Sequence, residues 1–333
     1  MKQDKMNLSI YPPRNQILDI AKGLGILLVV LGHYINVNSF PNEFIRSFHM
    51  PLFFIISGAC FCFERNKEIV KFITKRTVQL IIPLVLFCIV TLFIQCMLDK
   101  NLNAVTNMHW QLPGVLWFLL ILYLTELCGW ILISLLKHKK HQKATLICLV
   151  VILLMLSITT SNMGLCGPFS LCTIFAALSF YTIGYVFKNL IYNIPNYKCK
   201  RLQLLFSFAF CAIVVYIVGD SMQMYCNQIN IFDVLTSLAG SWGIILLAEK
   251  MSIRKNTGHN VVSWLGKNTL CIMCLHLSYI EIALRLFGSE MDNYIIKHCV
   301  CILLIGTGLF LSTTFINKYI PWLLGKGIYK NNK

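Results

Sequence analysis

Residues 17–34 read ILDIAKGLGILLVVLGHY, and this stretch decides the fold. It has the length and apolar character of a membrane helix, since a bilayer core needs about 20 largely apolar residues. The composition extends the pattern to the whole 333-residue chain, which is 57% hydrophobic and 13% charged. Soluble proteins are roughly 45–50% apolar and about 25% charged. The sequence therefore indicates an integral membrane protein.

Similar apolar runs follow along almost the whole chain. They predict an all-α polytopic bundle of about ten transmembrane helices in a single membrane domain over 1–333, without an internal repeat. The first run holds Asp19, Lys22 and His33 and lacks a small-residue cleavage site, so we expect a permanent span rather than a signal peptide. We place the spans at about 17–37, 44–63, 76–98, 114–136, 144–160, 169–190, 202–219, 229–250, 262–287 and 294–322.

The net charge of +16 would also suit a nucleic-acid binder, but the basic residues cluster between the apolar runs. When successive connections between the spans are assigned alternately to the two sides of the membrane, 25 of the 29 Lys and Arg residues fall on one side. The other side has only Arg46, Lys100, Arg285 and Lys297. Excess Lys and Arg marks the cytoplasmic face. We expect both termini in the cytoplasm, a multi-pass protein of the cell membrane, and no nucleic-acid partner.

Ionisable groups within the bilayer are costly, so each is a functional candidate. Lys22 and His33 are eleven residues apart, which at 100° per residue returns to the same helical face after three turns. The rise of the helix separates them by roughly 16 Å, with Lys22 near the cytoplasmic boundary and His33 in the outer half. Alternatively, Lys22 is a positive-inside anchor whose charge reaches the headgroups.

Two further histidines are expected at the level of His33. His49 lies as far from the turn between spans one and two as His33 does, and His276 lies roughly 18 Å from the cytoplasmic start of span nine. Imidazoles at one level suit a proton-handling site. A purely structural role in positioning or packing stays open for His49 and His276. Pro51 removes a helical hydrogen bond to the carbonyl of Ser47 and frees that carbonyl or kinks the helix.

The cytoplasmic side carries a second set of candidates. Lys75 and Arg76 open span three, and together with Lys22 and Arg14 they would form a basic mouth suited to a phosphate-bearing donor. The alternative is that Lys75 and Arg76 are topology anchors. Glu126 is the carboxylate expected near mid-membrane, where it either balances a buried positive group or orients a histidine.

These residues occur in segments that resemble the acyltransferase family 3 membrane proteins, in particular their fucose 4-O-acetylase-like branch. The specific matches are NQILDIAKGLGILLVVLGH at 15–33 and FHMPLFFIISG at 48–58. Weaker matches over the rest of the chain are KRTVQLIIPLVLF at 75–87, LWFLLILYLTEL at 116–127 and WLGKNTLCIMCLH at 264–276.

The resemblance implies transfer of an acetyl or similar short acyl group from cytoplasmic acyl-CoA. The implied acceptor is a hydroxyl of a surface polysaccharide sugar or of its lipid-linked precursor. The family pattern of a basic residue, ten residues and a histidine is met by Lys22 and His33. Lys22 stands where arginine is common, which keeps the charge but loses the bidentate fork.

Some relatives carry an extracytoplasmic hydrolase-like domain, and we expect none in this chain. Transfer would then finish within the membrane domain or with a separate extracytoplasmic partner protein. Contacts with membrane lipid are expected, and a homo-oligomer stays open. No metal is expected.

Acyl transfer needs a base for the hydroxyl proton and a group that stabilises the oxyanion. We expect His33 to deprotonate the hydroxyl directly or to carry the acyl group covalently. His49 and His276 would supply orientation or a second proton step, and Glu126 would fix a tautomer. Arg14, Lys22, Lys75 and Arg76 would bind the donor acetyl-CoA.

A transporter or exporter is the rival interpretation, because a polar stripe through a bundle of many spans also resembles a substrate pathway. Transporters more often have paired halves with interrupted helices, and no repeat is visible in this sequence. Release of free thiol from acetyl-coenzyme A distinguishes the two.

Overall fold

The computed structural model describes residues 15–35, 39–99, 112–194, 199–219, 223–253, 257–287 and 294–327, and these ranges are helical throughout apart from short connections. Its α-helices are α1 (Gln16–Tyr34), α2 (Phe40–Arg46), α3 (His49–Cys60), α4 (Ile69–Arg76), α5 (Ile82–Asp99), α6 (Trp117–Leu136), α7 (Gln142–Asn162), α8 (Ile174–Val186), α9 (Lys188–Tyr192), α10 (Lys200–Val218), α11 (Ile231–Ile253), α12 (Thr257–Lys267), α13 (Thr269–Phe287) and α14 (Tyr294–Tyr319). A π-helical turn, Thr77–Ile81, joins α4 to α5.

Glycines bring the central helices into close contact. A side chain at Gly23 of α1 would overlap the carbonyl of Val262 in α12, and one at Gly266 would overlap the carbonyl of Asp19. Small residues let helix backbones approach in this way, which compensates for the weak hydrophobic drive between helices in lipid. Helix α1, which carries Lys22 and His33, is therefore held firmly in the bundle.

Within the described ranges, nine helical segments are long and apolar enough to cross a membrane. The prediction of ten spans differs at the second, 44–63, because α2 ends at Arg46 and α3 starts at His49. The 12-residue α3 is about 18 Å long, which is short of a bilayer core. The predicted second span is thus a broken pair of short helices.

The break between α2 and α3 is fixed by tertiary contacts. Pro51 cannot donate to the carbonyl of Ser47, and the hydroxyl of Ser237 donates to that oxygen instead, at 2.8 Å. Phe48 is buried against Gly240, where any side chain would collide with its ring. The freed carbonyl expected from Pro51 is confirmed, and the break holds a defined geometry.

The predicted ninth span, 262–287, is also divided. Helix α12 ends at Lys267 and α13 begins at Thr269. His276 is consequently the eighth residue of α13, about 10 Å along it rather than 18 Å. Its level relative to the other histidines depends on how α13 packs against α1.

Candidate active site

Three histidines from separate segments converge at one end of the bundle. The ring centroids of His33 and His276 are 5.3 Å apart, with the rings inclined at 49°. His33 and His49 line one cavity of about 300 Å³ between α1, the α2–α3 break and the start of α6. We call it the histidine cavity. The structure thus brings the three predicted histidines together, including the one on the divided ninth span.

The ring hydrogen bonds define the tautomers of the two buried histidines. Nδ1 of His49 lies 3.0 Å from the carbonyl oxygen of Ile45, and Nδ1 of His276 lies 2.8 Å from that of Met273. Because a carbonyl only accepts, each Nδ1 donates, and Nε2 of the neutral ring carries the lone pair. Nε2 of His276 is buried and makes no hydrogen bond to the described part of the chain. Both rings thus present a proton acceptor.

His33 is the exposed member of the group and lies in the last turn of α1. Asn42, which is 0% exposed, holds this turn: its amide donates to the carbonyl of Gly32 and, at 3.4 Å, to that of Ile35. These two carbonyls flank His33, so Asn42 fixes the backbone that presents the ring to the cavity.

Arg46 and Asn42 are residues of this site that the sequence reasoning missed. Arg46 ends α2 and lines the histidine cavity beside His33 and His49. It was one of the few basic residues expected on the outer side and stands one turn before His49, a signal that could have found it. Asn42 gave no comparable signal, since its contacts form only when α2 folds back on α1.

Glu126 does not line the histidine cavity and forms an ion pair with Arg76. Its Oε2 is 2.8 Å from Nε of Arg76, and its Oε1 accepts a hydrogen bond from Ser57 at 2.6 Å. Gln79 accepts a further bond from Arg76 at 3.0 Å. The contacts of Glu126 therefore match the charge-balancing alternative rather than the orientation of a histidine.

Helix α3 links this pair to the histidine cavity. Ser57 lies eight residues after His49 on the same helix, a rise of about 12 Å. The π-helical turn beside Arg76 widens the helix locally, a distortion frequent at functional sites. The bundle thus contains two polar regions, the histidine cavity and the Arg76–Glu126 pair, at different positions along α3.

The remaining donor-site candidates are only partly brought together. Lys75 adjoins Arg76 on α4, and Lys22 is half-buried on α1, where neither makes an ion pair with a described residue. Arg14 lies outside the described residues. No group of three His, Cys, Asp or Glu side chains in the described ranges is arranged to hold a metal ion.

The fold defines a multi-pass helical membrane protein with a histidine-lined cavity. The family model described as an acyltransferase domain, Acyl_transf_3, matches residues 15–324. The chain therefore belongs to acyltransferase family 3 and is a membrane acyltransferase. No curated protein and no solved structure matches it. The fucose 4-O-acetylase-like branch remains a prediction.

Proposed function

We propose that this acyltransferase moves an acetyl or similar short acyl group from cytoplasmic acyl-CoA to a carbohydrate hydroxyl. The acceptor is a sugar of a surface polysaccharide or of its lipid-linked precursor. The observation that carries the proposal is the convergence of three histidines: His33 and His49 line an open cavity, and the buried ring of His276 lies 5.3 Å from that of His33.

In this scheme His33 takes the proton of the acceptor hydroxyl as its oxygen attacks the thioester carbonyl. The tetrahedral intermediate then collapses, the C–S bond breaks, and the thiolate leaves with the proton as free coenzyme A thiol. His276, in ring contact with His33, and His49 orient the base and relay the proton. A positioned base of this kind contributes about 10²–10⁴-fold to the rate.

The donor is proposed to enter on the side of Lys22, Lys75, Arg76 and Arg14. Lys22 and Lys75 leave two cationic groups without an ion-pair partner in the described chain, which suits the phosphates of coenzyme A. Arg76 is pre-oriented by Glu126, so it would offer directed hydrogen bonds rather than an uncompensated charge. The rise of α1 between Lys22 and His33, roughly 16 Å, is the distance that the pantetheine arm must bridge.

The test is a thiol-release assay on the purified full-length protein with labelled acetyl-coenzyme A and a panel of sugars. We expect acceptor-dependent release of thiol and label in the sugar, identified by mass spectrometry. His138→Ala, which changes an exposed histidine of a loop, is the matched control and should keep full activity. Movement of the sugar across the membrane without any thiol release would contradict the proposal and favour a transporter.

A further inference from the structure

Arg46 is a cation whose position is set by the break between α2 and α3. It is the last residue of α2, and the Ser47 carbonyl beside it is bound by Ser237 at 2.8 Å. Phe48, 1% exposed, stacks edge-on with Phe44 at a centroid distance of 5.3 Å and packs on Gly240. The backbone that carries Arg46 is thus anchored on both sides. His49, three residues later, lines the same cavity.

The described residues supply no counter-charge for this guanidinium. Arg46 is half-buried and its guanidinium makes no hydrogen bond or ion pair within the described ranges, and none of the described residues that line the histidine cavity is Asp or Glu. An arginine side chain stays charged at every physiological pH. In a partly enclosed cavity such a charge attracts an anion more strongly than it does in bulk water.

Arg285 provides a comparison on the same predicted side of the membrane. Its guanidinium is bound by Glu281 at 2.7 Å and by Asp99 at 2.5 Å. The protein therefore neutralises this arginine with its own carboxylates and leaves the charge of Arg46 directed into a cavity.

The rest of the cavity wall suits a sugar ring beside that charge. Trp117 and Tyr225 form an aromatic corner with ring centroids 5.9 Å apart, and Gln223 adds an amide that donates and accepts hydrogen bonds. Aromatic surfaces combined with a few placed polar groups are the usual lining of a small-molecule site. The volume of about 300 Å³ matches a small ligand rather than a long polymer segment.

We propose that Arg46 binds an anionic group of the acceptor, so that the acceptor is a carbohydrate bearing a phosphate or a carboxylate next to the acylated sugar. This inference rests on the proposed function, because it assigns the histidine cavity to the acceptor. Arginine binds both groups through paired N–H donors, which lysine cannot reproduce. Arg46 is a specificity residue in this account, and His33 remains the base.

The kinetic test compares a neutral acceptor with two anionic counterparts: methyl glucoside, methyl glucuronoside and methyl glucoside 6-phosphate. We expect Arg46→Gln to raise the KM for the anionic acceptors about tenfold or more, the scale of one lost charge-assisted hydrogen bond, and to leave the neutral acceptor unchanged. Arg46→Lys should raise the KM for the anionic acceptors less than Arg46→Gln does. Arg285→Gln should leave the KM for all three acceptors unchanged. An equal loss for all three acceptors, or no loss for any, would overturn the proposal.

A binding test separates this inference from the acyl-transfer chemistry. Diethylpyrocarbonate modification of His33 is followed by mass spectrometry, with His138 as the internal reference, in vesicles of phosphatidylcholine alone. We expect inorganic phosphate and methyl glucuronoside to slow modification of His33 in the wild type but not in Arg46→Gln. Protection by these anions without thiol release in any assay would uphold the anion site and reject the proposed function.

The same measurement distinguishes a soluble anion from a lipid headgroup. If only vesicles that contain phosphatidylglycerol protect His33, and dissolved phosphate and glucuronoside do not, Arg46 contacts the lipid surface and the proposal is wrong. Absence of protection from every source would also reject it.

Discussion

The histidine cavity and the Arg76–Glu126 pair are two polar regions in one apolar bundle, and they differ in what their polar groups face. Oε1 of Glu126 accepts from Ser57 and Oε2 lies 2.8 Å from Nε of Arg76, so this charge is neutralised by an ion pair within the protein. At the cavity, His33 is exposed, and Nε2 of the neighbouring His276 has no hydrogen-bond partner among the described residues. We infer that a ligand completes the hydrogen bonding at the cavity, whereas Glu126 balances and orients the charge of Arg76.

The largest effect is expected at His33. His33→Ala should lower the rate of acyl transfer by roughly 100-fold or more, because it removes the proposed base from the cavity. The protein should stay folded, since the His33 side chain is exposed. The measurement is thiol release per folded molecule, with folding checked by size-exclusion chromatography. Retention of more than about a tenth of the rate would argue against His33 as the base.

Glu126 should instead affect stability. Glu126→Ala leaves the half-buried Arg76 without its carboxylate, and removal of one partner of a fully buried ion pair, the upper limit for this site, typically costs about 3–5 kcal/mol. We expect a lower thermal midpoint in detergent and, in the surviving folded fraction, an unchanged pH profile of turnover. A shifted pH profile of turnover with unchanged stability would indicate instead that Glu126 orients a histidine.

An exposed ion pair provides the control for Glu126→Ala. Glu64 accepts from Lys137 at 2.5 Å and pairs with Lys67 at 2.6 Å, and these hydrogen bonds lower the pKa of Glu64 from 4.5 to about 2. Its contribution to stability is therefore present above about pH 4.5 and is lost as the pH falls towards 2. Because solvent screens the pair, Glu64→Ala should change the thermal midpoint at neutral pH far less than Glu126→Ala does.

Asn42 allows the cavity to be disturbed without touching a histidine. Asn42→Ala frees the carbonyls of Gly32 and Ile35, so His33 should lose its fixed orientation. We expect turnover to fall by about tenfold, while the KM for acetyl-coenzyme A stays within about twofold, because misplacing a catalytic group slows the chemical step. Asn66→Ala removes a similar amide-to-carbonyl bond, to Cys62, and is the matched control. Equal losses in both variants would indicate a general packing effect.

Lys22 should give the smallest effect. Lys22→Gln is expected to raise the KM for acetyl-coenzyme A by about threefold to tenfold with little change in turnover, as for a surface-accessible phosphate contact. Added salt should weaken donor binding in the wild type more than in the variant. Lys143→Gln controls for net charge on the same predicted side. An unchanged KM would leave Lys22 as a topology anchor.

The comparison also explains what the sequence could predict. The apolar runs predict the bundle because membrane helices form from local composition, and the depth of His33 and His49 follows from their distance to one turn. The sequence does not determine the partner of Glu126, because a carboxylate on α6 does not reveal which distant helix supplies its cation. Asn42 was missed because its contacts form only when α2 folds back on α1, and Arg46 because its place in the cavity wall is set by the α2–α3 break. That break depends on Ser237 and Gly240, almost 200 residues away.

The most direct test of the account uses sealed vesicles of known orientation. Orientation is fixed by labelling a cysteine introduced at Lys143, which the charge distribution predicts to be cytoplasmic. Acetyl-coenzyme A is supplied only on that side, and a membrane-impermeant acceptor only on the other. We predict acylated product in this arrangement and its loss in His33→Ala, because the proposed donor site near Lys22 and the histidine cavity are separated by roughly 16 Å along α1. Product that appears only when acceptor and donor share the cytoplasmic compartment would contradict the account.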